Sequence, residues 1–206
     1  MRLINTTTLE LKEFFDSSVP DYAILSHTWE AEEVSLQERD QQLSSLKAKT
    51  GYQKIENTLR AKVCYAYLSD WSSAKPDQPT NHETNFAHCR WWTRGWTLQE
   101  LIAPASVVFY DGEWTKGGAK SSQSLRKLIQ SIAGIPEEAL DANSDIRVMF
   151  SVSQKMSWAA TRQNTRIEDM AYCLLGLFDI NMPLLYGEGP RPSSDFKNKS
   201  AKKPWT

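Results

Sequence analysis

The sequence lacks a long hydrophobic run, a strong charge of one sign and a cysteine framework. No window approaches the roughly 18 consecutive apolar residues of a membrane-spanning helix, and the N-terminus lacks the continuous apolar segment of a secretory signal. The net charge of −1 gives no overall attraction to nucleic acid or to an anionic membrane. The three cysteines are widely spaced and form no CxxC pair, which is typical of free thiols in a reducing compartment. These absences predict a cytoplasmic protein with no membrane span and no nucleic-acid partner.

Tryptophan is the residue that the sequence has in unusual number. Eight tryptophans in 206 residues predict a heavily aromatic core, because a large ring is costly to leave in water. The chain is long enough for one domain with a core of its own, and we place that domain at residues 1–189. Residues 190–206 have few apolar side chains and an excess of lysine, so we expect a disordered, basic tail there.

Hydrophobic periodicity predicts strands that alternate with helices along the chain. The predicted strands lie at residues 22–25, 63–70 and 106–110. The predicted helices lie at residues 33–47, 52–62, 86–103, 121–133 and 165–178. Gly134 is placed to cap the fourth helix. Thr165 and Glu168 have the spacing of a capping box at the start of the fifth, whose apolar residues form an unbroken stripe. The alternation predicts an α/β domain with a mostly parallel sheet.

The stretch TRGWTLQELIAP permits two interpretations of Glu100. Thr97 and Glu100 have the spacing of a capping box, with Trp96 and Leu101 placed as a hydrophobic staple, so Glu100 could simply satisfy backbone N–H groups. Alternatively, a helix that begins near Asn85 would place Trp96 and Glu100 one turn apart on one face. Trp96 could then line a pocket, and Glu100 could stabilise an oxocarbenium-like transition state. The residues alone leave both interpretations open.

Further polar side chains follow the first predicted strand, in the stretch LSHTW. Ligands of open parallel sheets gather beyond the carboxyl ends of the strands, where Ser26, His27 and Trp29 would lie. His27 could bind a phosphate or ribose and Trp29 could stack on a base, or His27 could cap a turn and Trp29 could belong to the core. Arg90 and Arg94 could contact a diphosphate, or they could pair with nearby acids on a solvated face.

Two other stretches resemble ligand sites but fail on spacing. His82, His88 and Cys89 match no zinc pattern and lack a fourth ligand, so we expect no metal site. The stretch GEWTKGGAKSS is not a phosphate-binding loop, because an alanine separates Gly118 from Lys120. We interpret it as a hairpin or a loop with glycine turns.

Several blocks, in this order along the chain, resemble the fungal heterokaryon incompatibility (HET) domain. They are YAILSHTWEAEEVSLQE, GYQKI, VCYAYLSDW, RWWTRGWTLQELIAP and MSWAATRQNTRIEDMAYCLLGLFDINMPLLYGEG. The resemblance covers about residues 1–189. It implies a fold like that of Toll/interleukin-1 receptor (TIR) domains, with a flavodoxin-like, mostly parallel sheet flanked by helices and an α-helical C-terminal part. It also implies a role in nonself recognition and programmed cell death when incompatible fungal strains fuse.

The resemblance further implies a chemistry. Some TIR relatives cleave NAD with a glutamate on a helix, often preceded by tryptophan in a W-x-x-x-E pattern that Trp96 and Glu100 match. It therefore implies NAD as a substrate, no required cofactor, and Glu100 as the catalytic carboxylate. The residues implied to bind NAD are Ser26, His27, Trp29, Arg94 and Trp96. The competing expectations are a non-enzymatic signalling module that assembles with itself or with other HET or TIR-like domains, and an inactive truncated relative.

The chain departs from the HET pattern in two places. Before Val63 the family usually has a few dozen more residues, which include a strand with a W-I-D-x-x-C-I-D block and a helix. After LLYGEG the family continues into an amphipathic helix, whereas this chain continues into its polar tail. Either the gene model is faulty, or the chain is a shortened relative that has lost a strand and a helix near residues 61–63.

Overall fold

A computed structural model describes most of the predicted domain. The described residues are 2–5, 7–8, 10–15, 20–29, 33, 64–73, 82–141, 143–180 and 186–187. The predicted helices at 33–47 (apart from Glu33) and 52–62, the shortening near 61–63 and the tail at 190–206 lie outside them. Within the described ranges, no helix is long and apolar enough to cross a membrane.

Four strands form the central sheet. They are β3 (Ile24–His27), β4 (Cys64–Tyr67), β5 (Val107–Tyr110) and β6 (Lys116–Ala119), preceded by a separate antiparallel pair, β1 (Arg2–Ile4) and β2 (Leu11–Glu13). The strand order is β3-β4-β5-β6. The first three strands are parallel, and β6 returns antiparallel to β5. This confirms the predicted α/β class with a mostly parallel sheet. Of the two alternatives for the stretch around β6, a hairpin or a loop, the structure has the hairpin.

Helices and short 3₁₀ turns pack against this sheet. The helices are α1 (His82–Ala87), α2 (Thr97–Ile102), α3 (Gln123–Ala133), α4 (Ile146–Met149), α5 (Val152–Ala159) and α6 (Asp169–Tyr172). The 3₁₀ turns lie at Arg90–Thr93, Glu137–Leu140 and Leu175–Phe178. Helix α3 ends as predicted, because Gly134 takes the left-handed conformation (φ 65°) in which glycine is favoured.

The core is aromatic, as the tryptophan content predicts. Trp91 and Trp92 are 0% and 6% exposed and meet edge to face, and both rings contact Phe109 of β5. Register aligns Ser26 of β3, Ala66 of β4 and Phe109 of β5 in one row across the sheet, and all three are buried. The core therefore lies on the sheet face that carries Ser26. The three cysteines are free and buried, which confirms the expected thiols.

The prediction of one continuous helix over residues 86–103 is wrong. The chain instead forms α1, the 3₁₀ turn at Arg90–Thr93 and then α2. Gly95 lies between the last two, and a Cβ at this position would collide with the side chain of Asn164. Its backbone N–H donates to the carbonyl of Gln163 at 3.0 Å. A tertiary contact with a distant segment therefore overrides the local helical tendency.

The prediction of one continuous helix over residues 165–178 is also wrong. Helix α6 has only four residues, and a 3₁₀ turn follows it. The capping box does not form, because the helix begins at Asp169 rather than after Thr165 and has no side-chain cap. The Glu168 carboxylate accepts from the backbone N–H of Gly187 at 2.9 Å. Ile167 and Met170, expected in the buried stripe, are 55% and 59% exposed. The 3₁₀ turn packs closely on α2, since a Cβ at Gly176 would lie 2.8 Å from a side-chain oxygen of Gln99.

Candidate functional site

Glu100 lies in the first turn of α2, and two buried side chains reach it in series. The hydroxyl of Ser26 donates to Glu100 Oε2. The indole N–H of Trp91 donates to Ser26 Oγ at 2.7 Å. The chain of donors links a 3₁₀ turn, β3 and α2 at one point. With Arg94 and Arg162, described below, these residues form what we call the Glu100 cluster.

Neither sequence interpretation of Glu100 is right in its details. The capping box does not form. Helix α2 has no side-chain cap, and the Thr97 hydroxyl faces the carbonyls of Trp91 and Arg94 at 2.6 and 2.8 Å. The alternative required a helix from Asn85, and α2 begins at Thr97. Trp96 and Glu100 are nevertheless one turn apart, because Trp96 has helical backbone angles and its carbonyl accepts from the Glu100 N–H at 3.4 Å.

Opposing effects set the ionisation of Glu100. Burial raises the pKa of this carboxyl, while the hydrogen bond from Ser26 and the charges of Arg94 and Arg162 lower it in part. The net pKa lies above the ordinary value. Glu100 as a whole residue is partly buried. A raised pKa together with fixed partners is typical of a functional carboxyl group.

Arg162 holds the start of α2 from the C-terminal part of the chain. Its Nε donates to the carbonyl of Trp158 at 3.1 Å. Its Nη1 donates to the carbonyl of Arg94 at 2.9 Å and to Thr97 Oγ1 at 2.8 Å. Burial lowers the pKa of Arg162 to about 10, opposed by Cys173 and Glu100, so the side chain stays charged at neutral pH.

Backbone hydrogen bonds join the same two segments that Arg162 connects, a connection we call the Arg162 clamp. The N–H of Gln163 donates to the carbonyl of Thr93 at 2.6 Å, and the N–H of Gly95 donates back to Gln163 at 3.0 Å. Arg94 and Gln163 form an isolated parallel bridge. The segment after α5 therefore fixes the turn that carries Arg94 and leads into α2.

Lys120 holds the other end of α2. This residue is 2% exposed, and its Nζ donates to the carbonyls of Pro104 at 2.6 Å and Leu101 at 3.0 Å. Burial lowers the pKa of Lys120 to about 8. The ammonium satisfies carbonyls that the end of a helix leaves open and lies at the negative end of its dipole. A lysine that failed the phosphate-loop pattern thus stabilises the helix of Glu100.

We expect Lys120→Met to lower the free energy of unfolding by about 1–3 kcal/mol, because buried carbonyls lose their donor. The loss should grow between pH 8 and pH 10.5. In that window the unfolded lysine holds a proton that the folded lysine has released, so wild-type stability rises with pH relative to the variant. Urea denaturation at both ends of the window measures the effect. The control is Lys127→Met at an exposed position of α3, and equal losses in both variants would contradict the helix-capping role.

The remaining predicted site residues are not members of the Glu100 cluster. Ser26 and His27 both belong to β3 rather than to a following loop, and strand alternation places His27 on the face opposite Ser26. Its Nδ1 lies 3.5 Å from a carboxylate oxygen of Glu33. Trp29 lies beyond β3 and is 66% exposed. Trp96 is partly buried against the core. The roles of His27, Trp29 and Trp96 in NAD binding stay predictions.

Arg90 has a structural partner. Its backbone N–H and its Nε both donate to Asp70 Oδ2, at 2.8 and 3.3 Å. This confirms the interpretation that Arg90 pairs with a nearby acid. Arg94 differs, because its charge lowers the pKa of Glu100 and its carbonyl accepts from Arg162.

A cleft of about 500 Å³ opens at the opposite end of α2. It is lined by residues that include Ile102, Pro104, Asp141 and Asp145. Asp145 is paired with Arg147 at 2.9 Å. Glu100 does not line this cleft, so the cleft and the Glu100 cluster are separate features.

The sequence patterns missed two members of the cluster. Trp91 was expected only as part of a helix, and Arg162 was not singled out. Trp91 is adjacent to Trp92, and two neighbouring tryptophans indicate a buried core rather than a site. Arg162 has no spacing relation to Glu100. Only the packing of α5 and the 3₁₀ turn brings them together. Among the described residues, no three His, Cys, Asp or Glu side chains converge as ligands of a metal ion would.

Comparison with known proteins gives one informative match. Over 86% of its length the chain is similar to the vegetative incompatibility protein HET-E-1 of Podospora anserina, with 37% identity over 220 residues. The chain is a relative of this incompatibility protein. It spans 16% of that protein's length. No protein-family model matches the chain, and no solved structure matches it. The match confirms the predicted resemblance to a fungal incompatibility protein.

Proposed function

We propose that the chain acts in the cytoplasm as a HET domain of TIR-like fold in fungal nonself recognition and cell death. We propose further that it does so by cleaving NAD with Glu100. The incompatibility role is supported by the relative, whose name states that function. The enzymatic role is supported by the Glu100 cluster and by the W-x-x-x-E spacing of Trp96 and Glu100.

The observation that carries the enzymatic proposal is the fixed, partly buried carboxyl of Glu100. Ser26 and Trp91 orient it from the core side, and Arg162 and Lys120 hold the two ends of its helix. A carboxylate preorganised in this way stabilises developing positive charge more than a solvated one, because no reorganisation accompanies the reaction.

The reaction breaks the bond between C1′ of the ribose and the nicotinamide nitrogen. Nicotinamide leaves as a neutral molecule with the bonding electron pair, and the ribose becomes oxocarbenium-like. Ionised Glu100 stabilises that charge. Water then supplies a hydroxyl group to C1′ and releases one proton, which gives ADP-ribose. Glu100 has to be ionised for this role, so activity should fall as the pH drops through its raised pKa.

The proposal is tested by incubating the purified chain with NAD and measuring released nicotinamide by chromatography. We expect release above the buffer blank. Absence of release from a chain that unfolds cooperatively would contradict NAD cleavage.

Ser26→Ala is expected to move the acid limb of the pH–rate profile to higher pH. The Ser26 hydroxyl lowers the pKa of Glu100, so its removal lets burial raise that pKa further. Initial rates of nicotinamide release across the pH range measure the shift. Ser153→Ala, at an exposed position of α5, is the control and should leave the profile unchanged. An acid limb that stays in place or moves down would contradict the proposed coupling.

The second candidate function is a non-enzymatic module that works by assembly. It is favoured by the exposure of Ile167 and Met170, which are three residues apart and more than half exposed. Such a module should increase in mass with concentration in light scattering and should show no tryptophan quenching by NAD. Quenching by NAD without any increase in mass would favour the enzyme.

We also propose that the chain is a shortened relative. The match to HET-E-1 extends over 220 residues, more than the 206 residues of the whole chain. The alignment therefore includes positions of the relative that have no counterpart here. The sequence departure before Val63 supports placing them there. Sequencing the transcript across this point tests the proposal, and a transcript that encodes the strand and helix would contradict it.

A further inference from the structure

Arg162 has donors that the fold does not use. A guanidinium carries five N–H donors in a rigid fork. Three hydrogen bonds engage Nε and Nη1, whereas Nη2 has no hydrogen-bond partner among the described residues. The side chain is 8% exposed, and the Nη2 atom is buried. A buried donor without an acceptor is unfavourable unless a ligand supplies one.

The bonds that Arg162 does make keep Nη2 in place. Nε is tied to the end of α5, and Nη1 is tied to the turn before α2 and to Thr97. Because the guanidinium is planar, these bonds also fix the direction of Nη2. Rotation toward another acceptor would break the clamp. Nη2 is therefore a preorganised donor.

The surroundings indicate which ligand group fits. The charges of Arg94 and Arg162 both act on Glu100, so the cluster combines two cations with one carboxylate. The carboxylate favours the hydroxyls and developing positive charge of a sugar. Guanidinium groups favour an anionic oxygen, and their fork matches phosphate. A ribose that bears a phosphate offers both groups in one ligand.

We propose that Nη2 of Arg162 donates to a phosphate oxygen of a nucleotide whose ribose contacts Glu100. This proposal rests on the proposed function and adds a specificity-determining residue to it. Arg162 would thus hold α2 with one side of its guanidinium and bind substrate with the other. It selects nucleotides over unphosphorylated nucleosides.

The test compares nicotinamide mononucleotide with nicotinamide riboside, which differ only in the 5′-phosphate. Their affinities for the full chain are measured by tryptophan quenching and calorimetry. We expect the wild type to bind the mononucleotide at least about tenfold more tightly. Arg162→Gln should bring the ratio close to one, because the mononucleotide should lose more affinity than the riboside. Arg147→Gln, an exposed arginine paired with Asp145, is the matched control and should keep the wild-type ratio.

Arg162→Lys covers the case in which Arg162→Gln does not fold. Lysine keeps the charge but loses the fork, so the ratio should fall between those of the wild type and Arg162→Gln. Equal wild-type affinities for the two ligands, or no measurable binding of the mononucleotide, would overturn the proposal. Equal affinities would mean that solvent satisfies Nη2.

The experiments distinguish a failure of the Arg162 proposal from a failure of the NAD-cleavage proposal. Chromatography of a parallel incubation with NAD shows whether the same preparation cleaves NAD. Phosphate discrimination without NAD cleavage would support Arg162 as a binding residue and contradict the enzymatic proposal. NAD cleavage without discrimination would contradict the role of Arg162 alone.

Discussion

Replacing Glu100 with Gln is expected to lower the rate of nicotinamide release by about a hundredfold or more. The amide keeps the volume of the side chain and can still accept from Ser26, but it carries no charge to stabilise an oxocarbenium-like ribose. Because the fold keeps its packing, the free energy of unfolding should change little. Initial rates by chromatography and urea denaturation of the same preparation measure the two quantities.

The matched control for Glu100→Gln is Glu138→Gln, which makes the same chemical change at an exposed position. It should keep the wild-type rate. A Glu100→Gln variant that is folded and releases nicotinamide at the wild-type rate would remove Glu100 from the chemistry. The carboxyl would then have a structural role that links α2 to β3.

Trp91→Ala is expected to lower the free energy of unfolding by about 3–5 kcal/mol, the range for truncating a large buried aromatic side chain. Trp91 is 0% exposed, and its ring lies 4.8 Å from that of Trp92 and 5.7 Å from that of Phe109. The substitution leaves a cavity between the sheet and α2 and removes the donor to Ser26. Urea denaturation gives the change in stability.

Trp91→Phe separates the two contributions of the indole. Phenylalanine keeps part of the ring contact and removes only the N–H donor, so we expect a smaller loss of stability than for alanine. Ser26 would be freer to reorient, and nicotinamide release should fall even where the variant is well folded. A loss below about 1 kcal/mol in Trp91→Ala would contradict the central position of this ring in the core.

Local sequence patterns predicted the elements whose boundaries are set by residues within or next to the element itself. Helix α3 has an amphipathic pattern and the left-handed Gly134 at its end, and both features are local. Strand β5 has an apolar run bounded by polar residues. The helix expected over 86–103 failed because Gly95 packs on Asn164, a contact that no window of sequence contains. Helix α6 ends at Tyr172, and Gly176 in the following turn lies against Gln99, another contact between segments distant in sequence.

The site residues likewise divide into those that local sequence patterns predicted and those that only the fold reveals. Spacing placed Trp96 and Glu100 one turn apart, and the position near a strand end brought Ser26 into consideration. The partners that fix Glu100 come from distant segments: Arg162 follows α5, and Lys120 lies at the end of β6. In the sequence, Arg162 belongs to no recognisable motif, and Lys120 belongs to a stretch that does not match the phosphate-loop pattern. Only the folded arrangement shows that both hold α2.

The most direct test of the account compares nicotinamide release from NAD by the wild-type chain and by Glu100→Ala, at equal concentration and neutral pH. Circular dichroism of each sample first establishes that both are folded. The account predicts clear release by the wild type and release at the level of the blank by the variant. Equal release by the two proteins, or none by the folded wild type, would contradict it.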